Sequence, residues 1–327
     1  MVAGAFVVAI ALSQAYPNLP DISDLVDYQP KLPLRVYSSE GVLIGEFGEE
    51  RRTLTPIREI PKVMVDAVLA IEDTRFFEHN GVDYKGILRA ALANLGKVKS
   101  QGASTITMQV ARNVYLSSEK TYTRKIYEVL LTFKLEHLLT KEKILEVYMN
   151  QIFLGHRAYG FAAASEVYFG KPLKNITIAE AAMLAGLPKA PSAYNPISNL
   201  KRARVRQLHI IDRMEENGFI TAEQAEEARN EPLRLRRDRP RENAAHADYV
   251  AEMARQLIFD QYGEAAYTKG LNVYTTLKLD EQNVAYKALR EGIMAYERRQ
   301  RFRGPERFVA LPTDAQALED VVDDALA

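Results

Sequence analysis

Residues 68–81 read VLAIEDTRFFEHNG, and the rest of the chain is organised around this stretch. On one continuous helix Glu72, Phe76 and His79 fall at i, i+4 and i+7 and share a face, with Asp73 one position round. Two carboxylates, an aromatic ring and an imidazole facing the same way suit acid–base work on a polar substrate. A solvated acidic helix face has the same pattern, so the surrounding chain must decide.

Four further stretches follow in order. In residues 102–113, GASTITMQVARN, Thr105, Gln109 and Arg112 lie on one helical face, and the small polar lead leaves amides free at a helix start. Such a terminus seats a phosphate, or is a plain N-cap. In residues 124–136, RKIYEVLLTFKLE, Arg124 and Glu128 stand at i, i+4 beside Lys125, a spacing that routinely gives a surface salt bridge. Residues 144–155, ILEVYMNQIFLG, carry Glu146, Tyr148 and Asn150 ahead of a Gly155 turn, where Tyr and Asn serve packing and capping equally well. Residues 181–196, AAMLAGLPKAPSAYNP, form a helix stopped by Gly-Leu-Pro.

Composition sets the outer bounds. At 327 residues the chain has room for about two domains. Lys+Arg of 43 balances Asp+Glu of 43, so no overall field points to nucleic acid. Locally the middle is basic, through Lys97, Lys99, Lys120, Arg124, Lys125, Lys134, Lys141 and Lys143, and the end beyond Asp314 is acidic. There is no cysteine, which excludes disulfides, thiolate metal sites and a cysteine nucleophile. The five histidines lack H-E-x-x-H spacing, so no histidine-held zinc is expected. Ser117 to Lys120 matches S-x-x-K, but neither S-D-N nor K-T-G follows, and the match is rejected as a nucleophile.

The apolar start, MVAGAFVVAIAL, is shorter than a bilayer-crossing helix of about 20 residues. It is either a signal-like core or the outer part of a membrane anchor whose beginning is missing, and the second is favoured. Domain limits follow: 1–16 anchor, 17–60 extended connector and β-hairpin, 61–235 helical catalytic domain, and 236–327 linker and start of a further region. The hairpin, LRVYS and VLIGEF, is marginal alone, and its expected partner is LNVYTTL at 271–277. Helices are expected from Thr105, Thr123 and Thr140, then over 158–169, 177–187, 248–262 and 280–299. A surface pair is expected at 198–218 and 221–229. The apolar run within 82–99 either dips towards lipid or packs in the core.

Taken in succession, EDTRFFEHNG, GASTITMQVARN, RKIYEVLLTFKLE, ILEVYMNQIFLG and AAMLAGLPKAPSAYNP resemble the five motifs of the peptidoglycan glycosyltransferase family. That domain occurs in class A penicillin-binding proteins and alone as monofunctional transglycosylase. The resemblance implies a mainly α-helical, lysozyme-like domain with a small β-containing linker region, at the periplasmic face of the inner membrane on a single-pass anchor. Its implied substrate is lipid II, joined into a β1,4 glycan strand with inversion and release of undecaprenyl diphosphate. By motif position Glu72 becomes the general base, with Asp73, Phe76 and His79 completing its motif. Thr105, Gln109 and Arg112 line the donor site and diphosphate; Lys125 and Glu128 assist the leaving group, with Arg124 adding charge; Tyr148 and Asn150 shape the groove. A divalent cation, Mg or Mn, at the diphosphate and cell-wall synthesis proteins as partners are implied likewise. Met108 and Met149 depart from the family's usual glutamine and leucine, and Arg112 from its common lysine. Two rivals are a lysozyme-like lytic enzyme and a non-catalytic membrane-anchored scaffold module.

Overall fold

The computed structural model describes residues 30–87, 104–115, 122–236, 246–300 and 308–312, with 19, 318, 321 and 322. The apolar start, the Ser117–Lys120 match and most of the apolar run within 82–99 lie outside the described residues.

A helical body is built from α1 (Lys62–Glu72), α2 (Ile106–Tyr115), α3 (Tyr122–Leu138), α4 (Lys141–Gln151), α5 (Phe161–Phe169), α6 (Ile178–Ala185), α7 (Leu200–Glu216) and α8 (Ala222–Asn230). Several starts are fixed by local side-chain chemistry. Thr140 accepts from the Lys143 amide at α4, and Thr177 and Thr221 form reciprocal capping boxes with Glu180 and Gln224 at α6 and α8. α6 is the packing centre. Its buried Ala179, Ala181, Ala182 and Ala185 let α1 and α7 approach closely, and those two also pack on each other. α2 packs instead on α3 and α4.

Some of these expectations are corrected here. The stretch 68–81 is not one helix: α1 stops at Glu72, Asp73 takes φ −162° and ψ 77°, and a single 3-10 turn spans Phe76–Glu78. The helix in 198–218 lies at the surface on one face only, because α7 buries Ala203, Gln207, Ile210, Ile211 and Met214. Its many charges lie along the opposite stripe, which made the whole segment look solvated. The helix expected over 158–169 begins only at Phe161, since Ala158 and Tyr159 form a short strand.

The β part comprises β1 (Leu34–Tyr37), β2 (Leu43–Phe47), β3 (Arg51–Arg52), β4 (Ala158–Tyr159) and β5 (Asn272–Tyr274). β1 pairs antiparallel with β2 and parallel with β5, in the register Arg35↔Asn272, Val36↔Val273, Tyr37↔Tyr274. The hairpin therefore finds its partner in the segment expected, and the Tyr37 and Tyr274 rings stack at 5.1 Å. α9 (Asp248–Tyr262) covers this sheet through Ala251, packed with Leu34 and Val36. α10 (Leu279–Arg299) follows and buries none of its residues.

A strap ties the sheet to the helical body. β3 and β4 pair in parallel, and Arg52, buried, donates from Nη1 to the Asn150 carbonyl at 3.0 Å. The Asn150 side chain accepts from the Thr55 amide at 2.8 Å and donates to the Thr55 and Glu146 carbonyls, each at 2.9 Å. Gly160, at φ 80°, closes the arrangement: a Cβ there would lie 2.7 Å from the Asn150 carbonyl oxygen. Asn150→Ala strands buried amides and carbonyls and is expected to cost about 2–3 kcal/mol in urea unfolding. Protease cutting within 50–57 should quicken with it, and unchanged stability and cutting would contradict the strap.

Candidate active site

The end of α1 and the first turns of α2 meet because one carboxylate joins them. Asp73, buried, accepts from the Ile106 amide at 3.0 Å, and His79 Nε2 lies 3.0 and 3.1 Å from its two oxygens. An anion at a helix N-terminus is favoured by both the free amides and the dipole. Thr105 adds a second cap, accepting from the Met108 amide at 3.2 Å while its hydroxyl donates to the Gly81 carbonyl at 2.5 Å. Two amides at this helix start, those of Ile106 and Met108, are thus taken by Asp73 and Thr105.

Glu72 stands half-buried on the last turn of α1, where Gln109 Nε2 of α2 donates to its Oε2 at 2.7 Å. Burial pushes the Glu72 carboxyl above the ordinary glutamate range. The Gln109 bond and the charges of Arg206 and Arg112 pull it back, and the Asp73 charge raises it further. A carboxyl raised in this way is a stronger proton acceptor than an ordinary glutamate.

Arg206, on α7, was not singled out from the sequence, yet its charge is the foremost one acting on Glu72. Its own guanidinium is lowered by burial, its Nε is buried with no hydrogen-bond partner, and it sits 5.8 Å from the Tyr194 ring centroid. The available signal was an arginine on the apolar margin of a helix that contributes to the core.

Lys125 and Glu128 border the adjoining side of α2. The Glu128 carboxylate is buried and paired with Lys125, whose Nζ lies 3.4 Å from Ser104 Oγ and 3.9 Å from Met108 Sδ. The structure therefore gathers Glu72, Gln109, Arg112 and Arg206 at one turn of α2, and Lys125 with Glu128 against its first turn. Arg124 is half-buried on α3.

The remaining residues have other placements. Phe76 is fully buried in the core beneath Lys141, whose Nζ is 4.4 Å from its ring centroid, so it lines no cleft wall. Asp73, His79 and Thr105 hold the α1–α2 junction. Asn150 belongs to the strap, its polar atoms satisfied by main chain. Tyr148 is buried on α4, its hydroxyl without a hydrogen-bond partner. Among the described residues no three His, Asp or Glu side chains are grouped to hold a metal ion. Glu128, the buried carboxylate beside α2, is already paired to Lys125.

A mainly helical body thus carries two carboxylates, Glu72 and Glu128, near α2, whose one charged residue is Arg112. The family described as Transglycosylase matches residues 40–215, and the chain belongs to that family, the lysozyme-like peptidoglycan glycosyltransferases of cell-wall synthesis. Among its relatives, it is 51% identical to penicillin-binding protein 1A of Neisseria meningitidis serogroup A, over 99% of this chain and 40% of that protein. It is 46% identical to penicillin-binding protein 1A of Escherichia coli K12, over 88% of this chain and 34% of that protein. A crystal structure of penicillin-binding protein 1A from Haemophilus influenzae aligns with a TM-score of 0.45 and 31% identity, covering 86% of this chain and 33% of that one. The chain thus spans about 40% of the length of its first curated relatives.

The Glu72 environment has a consequence for stability. Because its folded pKa is raised, the fold favours the protonated carboxyl; that contribution is full below the unfolded pKa and is lost as pH rises through the folded one. Glu72→Gln stays neutral and can still accept from Gln109. It is expected to melt above the parent at pH 7.5, with the gap closing below about pH 4. Equal midpoints at pH 7.5 would contradict the burial of charge at this position.

Proposed function

We propose that this chain joins lipid II units into β1,4-linked glycan strands, with Glu72 as the general base. The single observation that carries this reading is the Glu72 setting: a half-buried carboxylate, held through one oxygen by Gln109, with guanidinium charges from α2 and α7 acting on it. The acceptor sugar's hydroxyl is a poor nucleophile until its proton leaves. That proton passes to the Glu72 carboxylate as the oxygen forms its bond to the donor's anomeric carbon. The bond from that carbon to the diphosphate breaks on the opposite face, and the diphosphate departs with the electron pair. One displacement inverts an α-linked donor to a β linkage. Charge gathering on the diphosphate is met by Arg112 and Lys125.

A lytic enzyme of the same shape has no diphosphate to neutralise, so the basic side of α2 favours synthesis over lysis. The same reading places the protein at the periplasmic face of the inner membrane, with the growing glycan and cell-wall synthesis proteins as partners. Among the described residues no helix is long and apolar enough to cross a membrane.

The test is polymerisation of lipid II in detergent. Glu72→Gln is expected to lower the rate by about 10²–10⁴-fold while retaining lipid II binding. Arg206→Gln removes the foremost positive charge on Glu72 and should move the acidic limb of the rate profile to higher pH. Lysis of finished glycan without polymer, or full activity in Glu72→Gln, would overturn the proposal.

A further inference from the structure

Glu136, at the end of the stretch RKIYEVLLTFKLE, has no part in the proposed displacement, yet it joins three helices behind the site. Its Oε1 accepts from Thr107 Oγ1 of α2 at 2.5 Å and from Lys141 Nζ of α4 at 2.8 Å. Thr107 is fully buried, and the Glu136 side chain is 9% exposed. Lys141 also lies over the ring of Phe76, so the same cluster touches the turn between α1 and α2. Gly81 leaves the room that α3 needs here: a Cβ on it would stand 2.5 Å from Thr132 Cγ2 and 3.0 Å from Glu136 Cγ. The buried Ile106, Val110 and Ala111 of α2 make apolar contacts that carry no direction, whereas hydrogen bonds to a carboxylate do.

Residues two apart on a helix point about 200° from each other. Thr107 and Gln109 are such a pair. Gln109 Nε2 donates to Glu72 at 2.7 Å on one side of α2, and Thr107 holds Glu136 on the other. The Asp73 bond to the Ile106 amide fixes where α2 starts, and the Thr107 anchor fixes how it is turned. We infer that Thr107 and Glu136 are positioning residues, which hold α2 at the rotation where Gln109 meets Glu72, a role that rests on the base function proposed for Glu72. Without the anchor α2 turns, Gln109 leaves the carboxylate, and Glu72 loses a hydrogen bond that favours its charged form. The charges acting on Glu72 are Arg206 on α7, Arg112 on α2 and Asp73 beside it. Arg112 travels with α2, so its loss acts in the same direction.

Thr107→Val in the full chain tests this, because it deletes the hydroxyl and leaves Glu136 paired with Lys141. Thr107→Ser keeps the hydroxyl. The readouts are an isotope-edited infrared titration of the Glu72 carboxyl and lipid II polymerisation against pH. Thr107→Val is expected to move both the Glu72 titration and the acidic limb to higher pH and to lower the rate near neutral pH about tenfold. Thr107→Ser is expected to restore the parent's values. Added to Gln109→Ala, Thr107→Val should shift the Glu72 titration less than it does in the parent. A Glu72 titration in Thr107→Val that matches the parent overturns the inference, whatever the melting temperature does. So does an equal or larger shift in the Gln109→Ala background. If Thr107→Val does not fold, Thr107→Ala takes its place; failure of both to fold also overturns the inference, since the hydroxyl is then needed for the fold itself. The infrared titration needs no turnover, so a parent chain that makes no polymer counts against the proposed function alone.

Discussion

The carboxylate of Asp73 is the constraint on which the site depends. By accepting from the Ile106 amide it ends α1 at Glu72 and starts α2 across from it, and His79 holds both of its oxygens in that position. The rest of the candidate site then follows from register. Gln109 is one turn into α2 and reaches Glu72, and Arg112 is nearly one turn further and adds charge. An interaction that would be an ordinary helix cap elsewhere here sets the position of Glu72.

The electrostatics of Glu72 show two opposing effects, of which burial is the larger. Burial at the α1–α6–α7 packing centre disfavours its charge, and the small residues of α6 make that burial possible by drawing the helices close. Arg206 and Arg112 then restore part of the stability of the carboxylate. Burial makes the carboxyl a stronger proton acceptor, and the cations favour its charged form.

How much of this was legible in the sequence depended on how local each cause is. Thr140, Thr177 and Thr221 cap their helices through groups three residues away, and those starts were readable. The pairing of β1 with β5 was readable too, because LNVYTTL was the other strong β-branched and aromatic run. The break after Glu72 was not, since residues 68–81 keep helical spacing throughout and the cause lies at Ile106, 33 positions away. The strap made by Asn150 was not readable either, because its partners are at Arg52 and Thr55, far upstream. Arg206 escaped notice because a charge-rich helix hides which arginine points inward. The order of the five motifs nonetheless located Glu72 and Gln109, the pair the structure joins.

The most direct measurement is the titration of the Glu72 carboxyl itself, followed by isotope-edited infrared spectroscopy beside the pH dependence of lipid II polymerisation. The protonated band should persist above the ordinary glutamate value of about 4.3 and vanish over the same pH range in which polymer synthesis appears. A carboxyl that titrates at the ordinary value, or an acidic limb that does not track it, would contradict Glu72 as the base.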